Sequence, residues 1–377
     1  MDAWIADHAA RIAAHAEREL EALVAVSTPS GDIRGAEEAA ALVAALAPDD
    51  TEVERPPCST PRHAPDLLVR QRGTGQARIL LLGHLDTVVS HDEHQPLRRE
   101  GDRLVGSGSI DMKGGDVLAL GVLRALATRR GEFAEVALLL VCDEEWRTGP
   151  FGHVDRFADF DACLCFEGGQ LDPETGHDAV VVKRKAAGTV EVRATGRSAH
   201  SGSSPDRGRN ALLALAAAAQ AIAACHDPDG SDRLTAVPTV LNSGDAFNVV
   251  PAAGRLLADS RADRAEAFDR VLAAIPSEVG GAQLDARLVR VWPGMDARAA
   301  TTGLLERASA AVGRPVIGGR RGGASDASHF ASNIAVTVDG LGPLGGGAHA
   351  PTEHVLAQSL GSRAEIALGL IDAVLSG

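Results

Sequence analysis

Short apolar runs alternate with helical segments through the first half of the chain, and this alternation restricts the possible folds most. Four runs have β character, at 66–70, 78–82, 135–142 and 162–166. Three segments have helical periodicity, at 3–25, 35–47 and 114–130. Strands that alternate with helices are typical of an α/β sheet. We therefore expect an α/β domain, with any ligand bound in the crevice at the carboxyl ends of its strands.

A different order of elements begins near Val182. Strands and helices then follow in the order β-α-β-β-α-β, at 188–194, 210–225, 235–241, 255–260, 264–274 and 284–291. This order is typical of a ferredoxin-like unit. After Pro293 the α/β pattern returns, and 377 residues are enough for two domains. We predict a discontinuous α/β domain at 1–182 and 294–377, with a second domain inserted at 183–293.

The overall composition restricts the partners and the location of the protein. The formal charge is −14, from 37 basic and 51 acidic residues. This charge argues against a nucleic-acid partner, because the protein has no excess of positive charge to attract the phosphates. No apolar run approaches the roughly 20 residues that a membrane span needs. The acidic N-terminus does not resemble a secretory signal, and five scattered cysteines fit reduced thiols. We expect a cytoplasmic protein with no nucleic-acid or membrane partner.

Two polar residues with metal-binding chemistry directly follow the second apolar run. His84 and Asp86 lie two residues apart, so in an extended segment both side chains face the same side. A carboxylate beside a liganding histidine fixes the tautomer of the imidazole. We interpret His84 as a metal ligand and Asp86 as the residue that orients it. For one such pair alone, an ordinary polar loop after a strand is the better interpretation.

Carboxylates and a second histidine recur in comparable places farther along the chain. Asp111 lies in a Gly-rich loop before a helix, and its two oxygens suit a ligand shared by two ions. Glu144 and Glu145 follow an apolar run, where one can bind metal while the other transfers a proton. Glu167 ends the next run, and His349 lies in a late Gly-rich loop. A helix cap, a solvated turn or an ordinary loop also explains the single carboxylates, whereas a cap near Thr352 leaves His349 unexplained. Together these residues indicate a metal centre.

The chain resembles, nearly end to end, the co-catalytic dizinc aminoacylase and carboxypeptidase family. That family includes glutamate carboxypeptidase, acetylornithine deacetylase, succinyl-diaminopimelate desuccinylase and aminoacylase-1. The resemblance rests on motifs in the family's order: Gly-His-Leu-Asp-Thr-Val, Asp-Met-Lys-Gly-Gly, Asp-Glu-Glu, Phe-Glu-Gly-Gly and Ala-His-Ala-Pro-Thr-Glu-His-Val. The stretch at 97–106 and the segment Lys183-Arg-Lys are most similar to the glutamate carboxypeptidase branch.

This resemblance implies a fold and a metal centre. The fold is a zinc-peptidase-like α/β catalytic domain with a mixed sheet and an inserted ferredoxin-like α+β domain, which serves as a lid and as a dimerisation domain. The cofactor is a pair of Zn²⁺ ions, with Co²⁺ or Mn²⁺ as possible substitutes. The implied ligands are Asp111 between the ions, His84 and Glu167 on one ion, and Glu145 and His349 on the other.

The same resemblance implies hydrolysis of an amide bond by a hydroxide that bridges the two metals, with Glu144 as the general base. The expected substrate is a small peptide or an N-acyl amino acid, cleaved to release a C-terminal amino acid. An N-acetyl or N-succinyl amino acid deacylase is the close alternative. A non-catalytic binding protein on the same scaffold is a more distant one.

Three residues of the inserted domain also match the family's pattern. His200, in Arg-Ser-Ala-His-Ser-Gly, resembles a histidine that stabilises the oxyanion, often from the partner subunit, which implies a homodimer through the lid domain. Asn248 and Arg261 match residues that bind the carboxylate end of the substrate. Asp326, in Gly-Gly-Ala-Ser-Asp, is expected to shape the cleft. Trp146 stands where relatives carry a smaller aliphatic residue, which leaves the substrate open.

Overall fold

The computed structural model describes residues 1–377, which divide into two compact units. The first unit comprises Met1–Lys183, Asp296–Arg320 and Ser325–Gly377, and the second comprises Arg184–Met295 and Arg321–Ala324. The chain thus leaves the first unit after a single long segment and later returns to it. No helix combines the length and the apolar character that a membrane span requires.

Helices and strands of both units form a mixed α/β protein. The helices are α1 (Ala3–Ala25), α2 (Ile33–Leu46), α3 (Gly114–Leu126), α4 (Ala211–Ala223), α5 (Phe268–Ala274), α6 (Arg298–Val312), α7 (Ala327–Phe330) and α8 (Ala357–Leu375). The strands are β1 (Glu52–Glu54), β2 (Leu67–Arg72), β3 (Ala77–His84), β4 (Arg98–Glu100), β5 (Arg103–Val105), β6 (Phe133–Val141), β7 (Ala162–Cys165), β8 (Gln170–Leu171), β9 (Asp178–Arg184), β10 (Ala186–Thr195), β11 (Thr235–Ser243), β12 (Ala253–Ala262), β13 (Glu278–Val279), β14 (Ala282–Trp292), β15 (Met295–Asp296), β16 (Val316–Arg321), β17 (Val336–Val338), β18 (Gly345–Gly346) and β19 (His354–Leu356). Every helix and strand expected from the sequence has a counterpart, with ends shifted by a few residues.

The main sheet of the first unit brings three loops to one edge. Its strand order is β1-β2-β6-β3-β7-β17, and β3 runs parallel to both β6 and β7. Parallel strands end at the same edge of a sheet, so the residues that follow β3, β6 and β7 are neighbours. The strands β3 and β7 are buried along their apolar runs, including Cys163 and Cys165, which are free thiols inside β7 as the alternation predicts. The interpretation of these cysteines as part of a buried strand is therefore confirmed.

Helix α1 begins where its sequence provides a cap and an apolar stripe. The carboxylate of Asp2 accepts hydrogen bonds from Trp4 N at 2.8 Å and Ile5 N at 3.3 Å, which satisfies two of the exposed N–H groups at the helix start. Buried residues then recur at helical spacing from Ile5 to Leu23. This stripe packs α1 against α3 and α8.

Glycine is required where α3 begins next to the end of β7. A Cβ atom added at Gly115 would lie 1.8 Å from the carbonyl oxygen of Phe166. No side chain fits that distance, so glycine allows the helix to start against the strand. The loop that precedes α3 is thereby held close to the residue that follows Phe166.

A smaller sheet in the first unit joins a late segment to an early loop. Its strand order is β18-β19-β5-β4, and β19 pairs antiparallel with β5. His354 in β19 pairs with Val105 in β5, a few residues before the loop that leads into α3. The segment that carries His349 is therefore placed beside the loop that carries Asp111.

The second unit is an antiparallel sheet with two helices. The strand order is β11-β12-β10-β14-β13, and α4 and α5 pack on the sheet around a core that includes Val192, Leu256 and Phe268. Along the chain its principal elements follow the order β10-α4-β11-β12-α5-β14. Strand β11 is an edge strand and exposes apolar side chains, Val240 and Leu241 among them.

Candidate metal centre

Five side chains with metal-binding atoms meet at the carboxyl edge of the main sheet. They form two groups, within each of which the ligand atoms lie within 4.8 Å of one another: His84, Asp111 and Glu167, then Asp111, Glu145 and His349. Asp111 belongs to both groups. This is the arrangement of two cation sites that share one carboxylate.

The two oxygens of Asp111 face different histidines. His84 Nε2 lies 3.1 Å from Asp111 Oδ1 and 3.8 Å from Glu167 Oε1. His349 Nε2 lies 3.1 Å from Asp111 Oδ2 and 3.2 Å from Glu145 Oε1. Each group thus offers one imidazole nitrogen and two carboxylates, a donor set that suits Zn²⁺ and leaves further positions for water or substrate, as in catalytic zinc sites.

The electrostatics of the cluster also favour a cation. The carboxylates of Asp111 and Glu145, which accept hydrogen bonds from His349, raise the pKa of His349 to about 10. Burial opposes the charged form of His84, yet hydrogen bonds with nearby carboxylates raise its pKa well above the usual value. Burial also raises the pKa of Glu144 well above its usual value, and neighbouring carboxylates add to the increase. An excess of negative charge therefore surrounds the ligand atoms, and divalent cations fit that charge.

Asp86 contacts His84 mainly through its backbone oxygen, whereas the sequence led us to expect a contact through its carboxylate. His84 Nδ1 lies 3.0 Å from the backbone oxygen of Asp86 and 3.5 Å from its carboxylate Oδ1. A carbonyl oxygen can only accept, so we assign the proton of the neutral ring to Nδ1, which leaves the lone pair of Nε2 directed at the cluster. The carboxylate instead accepts hydrogen bonds from Glu144 N at 3.0 Å and Glu145 N at 3.2 Å. Asp86 thus orients His84 through its backbone and the two glutamates through its side chain.

Glu353 supports the site, although no role was assigned to it from the sequence. Its Oε2 accepts a hydrogen bond from Gly108 N at 2.8 Å, and its Oε1 accepts from Ile110 N and Asp111 N, both at 3.0 Å. Burial raises the pKa of Glu353 to about 7, although these hydrogen bonds lower it. The carboxylate fixes the loop of Asp111 from the segment that carries His349. Its position four residues after His349 in the last motif was the only signal.

The backbone at two of the candidate ligands is unusual. Asp111 has φ −126° and ψ 85° inside the helical turn Ser109–Lys113, and its peptide bond to Met112 is cis. His349 has φ 64°, in the left-handed region that residues with a side chain rarely adopt. The left-handed conformation of His349 costs about 1–3 kcal/mol and persists where the surrounding structure holds it, most often at functional sites.

Three of the other predicted site residues, His200, Asn248 and Arg261, belong to the second unit, whereas the five clustered residues all belong to the first. His200 is exposed, and its Nδ1 accepts N–H groups two and three residues later at 3.1 and 3.2 Å, which places the proton of the neutral ring on Nε2. Asn248 is exposed. The Arg261 Nε binds the carboxylate of Asp259 at 3.0 and 3.1 Å. Asp326 lies in the first unit and pairs with Arg147.

A family model and characterised relatives match much of the chain. The family described as Peptidase family M20/M25/M40 matches residues 80–373. The chain is 28% identical over 374 residues to carboxypeptidase G2 of Pseudomonas sp. (strain RS-16), and this alignment covers 94% of the chain and 88% of that protein. The chain is 33% identical over 153 residues to acetylornithine deacetylase of Vibrio vulnificus, and this alignment covers 38% of each protein.

Solved structures share the fold over nearly the whole chain. A tripeptidase from Staphylococcus aureus has a TM-score of 0.74 at 19% identity and covers 97% of this chain and 99% of its own. An M20 family metallo-carboxypeptidase from Sulfolobus solfataricus has a TM-score of 0.71 at 16% identity, with 95% and 98% covered. At these identities the likeness shows the fold.

Proposed function

The chain belongs to Peptidase family M20/M25/M40, and on that basis we propose that it is a metal-dependent hydrolase that cleaves an amide bond and releases a C-terminal amino acid. The observation that carries the proposal is the sharing of Asp111 between two histidine-containing candidate ligand groups, with Glu144 close enough to interact electrostatically with His84 and Glu167. The near full-length similarity to a carboxypeptidase supports the carboxypeptidase-like reaction.

The proposed cofactor is a pair of Zn²⁺ ions, for which Co²⁺ or Mn²⁺ are possible substitutes. His84 and Glu167 would hold one ion, Glu145 and His349 the other, and Asp111 both. When bound, the ions would lower the pKa of a water molecule between them and polarise the substrate carbonyl.

The protein's own residues would move the proton and bind the substrate. Glu144 would accept the proton of the attacking water and return it to the leaving nitrogen, and the hydrogen bond from its backbone N–H to Asp86 fixes its place. His200 would donate its Nε2–H to the developing oxyanion, because its Nδ1 already accepts two backbone N–H groups. Asn248 and Arg261 would bind the substrate carboxylate, for which a guanidinium fork is well shaped.

We further propose that the inserted region, residues 183–293 between catalytic segments 1–182 and 294–377, is a ferredoxin-like lid through which the protein forms a homodimer. The support is edge strand β11, where exposed Val240 and Leu241 accompany backbone groups that a second copy can pair. A Val240→Glu, Leu241→Lys variant should then be monomeric in light scattering, and an unchanged mass would contradict this interface. The cytoplasmic location stays a prediction.

A hydrolysis panel with metal analysis tests the proposed reaction. The zinc-loaded protein is assayed on dipeptides and N-acyl amino acids, with a Glu144→Gln variant and a control at exposed Glu174. We expect Glu144→Gln to retain its metal and lose turnover, while Glu174→Gln stays active. Faster cleavage of N-acetylornithine would favour the deacylase alternative, which the partial match to acetylornithine deacetylase supports. Absence of all turnover with metal bound would favour a binding protein.

A further inference from the structure

Arg147 is a buried cation at the end of the turn that carries Glu144 and Glu145, and no role has yet been assigned to it. Its side chain is 2% exposed. Nη2 lies 2.9 Å and Nε 3.2 Å from Asp143 Oδ1, so the ion pair joins the two ends of the turn 143–147. The other edge of the guanidinium binds both oxygens of Asp326, with Nη2 2.7 Å from Oδ2. One side chain thus holds two buried carboxylates.

The surroundings hold this ion pair in one arrangement. Asp143 Oδ2 accepts hydrogen bonds from Thr60 N at 2.8 Å and Thr60 Oγ1 at 2.6 Å. The same hydroxyl accepts a hydrogen bond from Thr148 N at 3.1 Å, just beyond the turn. The guanidinium also lies over the ring of Phe151, 4.5 Å from its centre. The start and the end of the turn are therefore fixed to the same threonine.

The middle of the turn is fixed independently. The carboxylate of Asp86 accepts the N–H groups of Glu144 and Glu145. Arg147 joins the ends of the turn and Asp86 binds its middle, so these contacts together restrict the backbone that carries Glu144 and Glu145. Glu145 thereby reaches His349 at 3.2 Å.

We propose that Arg147 is a positioning residue for the metal centre. By joining Asp143 to Asp326 it sets where Glu145 meets the second ligand group and where Glu144 can reach the attacking water. The inference rests on the proposed metal-dependent hydrolysis. Arginine suits this task because its planar fork binds two carboxylates at once, whereas lysine offers a single ammonium group.

A purely structural role predicts a different result, and the chain contains a matched control. Arg124 also forms a two-point ion pair with a buried carboxylate, at 2.7 and 2.6 Å from the oxygens of Glu19. That pair joins α3 to α1 and includes none of the ligands. Replacement of either arginine by lysine removes one fork and keeps the charge.

The experiment compares Arg147→Lys and Arg124→Lys with the wild-type protein. Zinc binding to the metal-free proteins is measured by calorimetry, stability by urea unfolding, and kcat and KM on the best substrate of the panel. We expect Arg147→Lys to lower zinc affinity and kcat by about 10–100-fold each, the usual effect of removing a group that supports metal ligands, with KM nearly unchanged. Arg124→Lys should lower stability alone.

Wild-type zinc affinity and kcat in folded Arg147→Lys would overturn the inference. If that variant does not fold, Asp326→Asn serves instead, because it keeps the pair between Arg147 and Asp143 and weakens only the second contact. We expect the same direction of change in zinc affinity, and unchanged affinity would again overturn the inference. The zinc titration needs no substrate, so a failure of the proposed hydrolysis would be distinguishable from a failure of this inference.

Discussion

Glu353 provides the sharpest prediction about how the metal centre is supported. Its carboxylate accepts three backbone hydrogen bonds, from Gly108, Ile110 and Asp111. Glutamine has the same shape but only one acceptor oxygen. If that oxygen takes the place of Oε1, it keeps the bonds to Ile110 and Asp111, and the amide NH₂ then opposes Gly108 N–H. One hydrogen bond to a charged group is lost at a buried position.

The size of the effect follows from this loss. The pKa of Glu353 is about 7, so at a pH well above 7 its carboxylate is charged. A hydrogen bond to a charged group contributes about 1.5–3 kcal/mol, and we expect Glu353→Gln to lower the free energy of unfolding by about 2 kcal/mol at that pH. The loop of Asp111 also loses one of its attachments. Because Asp111 is common to both ligand groups, zinc affinity should fall at both sites, by about 10–100-fold.

Urea unfolding of the metal-free protein and calorimetric zinc titration measure the two effects. Glu19→Gln is the control, since it removes one of two hydrogen bonds to Arg124 in a buried pair away from the ligands. It should lower stability and leave zinc affinity unchanged. The reasoning is refuted if Glu353→Gln binds zinc as tightly as the wild-type protein at both sites.

Two further predictions concern stability. Burial lowers the pKa of His329 to about 4 from its ordinary 6.5. The stability that depends on the neutral ring is therefore complete above pH 6.5 and is lost as the pH falls towards 4. The total loss of unfolding free energy over this interval is about 3 kcal/mol. Urea unfolding of His329→Gln should show a smaller loss over that interval, and an identical pH slope would contradict the assignment. A Cβ at Gly115 would overlap the Phe166 carbonyl, so Gly115→Ala should lower the free energy of unfolding by about 3 kcal/mol. The control Gly131→Ala adds a Cβ that meets nothing within 4 Å and should change the free energy of unfolding little. Equal effects of the two substitutions would argue against the steric reason.

The ligands could be predicted from the sequence because they follow strands. His84, Glu145 and Glu167 come after the apolar runs that form β3, β6 and β7, and parallel strands end at one edge of a sheet. The motif order then added Asp111 and His349. The structure brings these five residues together, and their role as metal ligands stays a proposal.

The supporting contacts could not be predicted, because they join residues distant in the chain. Glu353 binds a loop more than 240 residues earlier, and Arg147 binds Asp326, 179 residues later. No periodicity or spacing in one sequence indicates which partner a lone charged residue will find. Strand β16 was missed for a local reason, since adjacent glycines and arginines follow only two apolar residues. Strand β9 was also missed, although it contains the continuous apolar run 179–182.

Two cations that share Asp111 would both depend on its carboxylate, and a zinc titration of matched variants measures this dependence. Binding is followed by calorimetry, and bound metal is counted by mass spectrometry for the wild-type protein, Glu167→Gln and Asp111→Asn. We predict two zinc ions per wild-type chain, one tightly bound ion in Glu167→Gln, and weakened binding of both ions in Asp111→Asn, because both ligand groups contain Asp111. A single ion per wild-type chain, or unchanged binding in Asp111→Asn, would contradict the sharing of Asp111 by two cations.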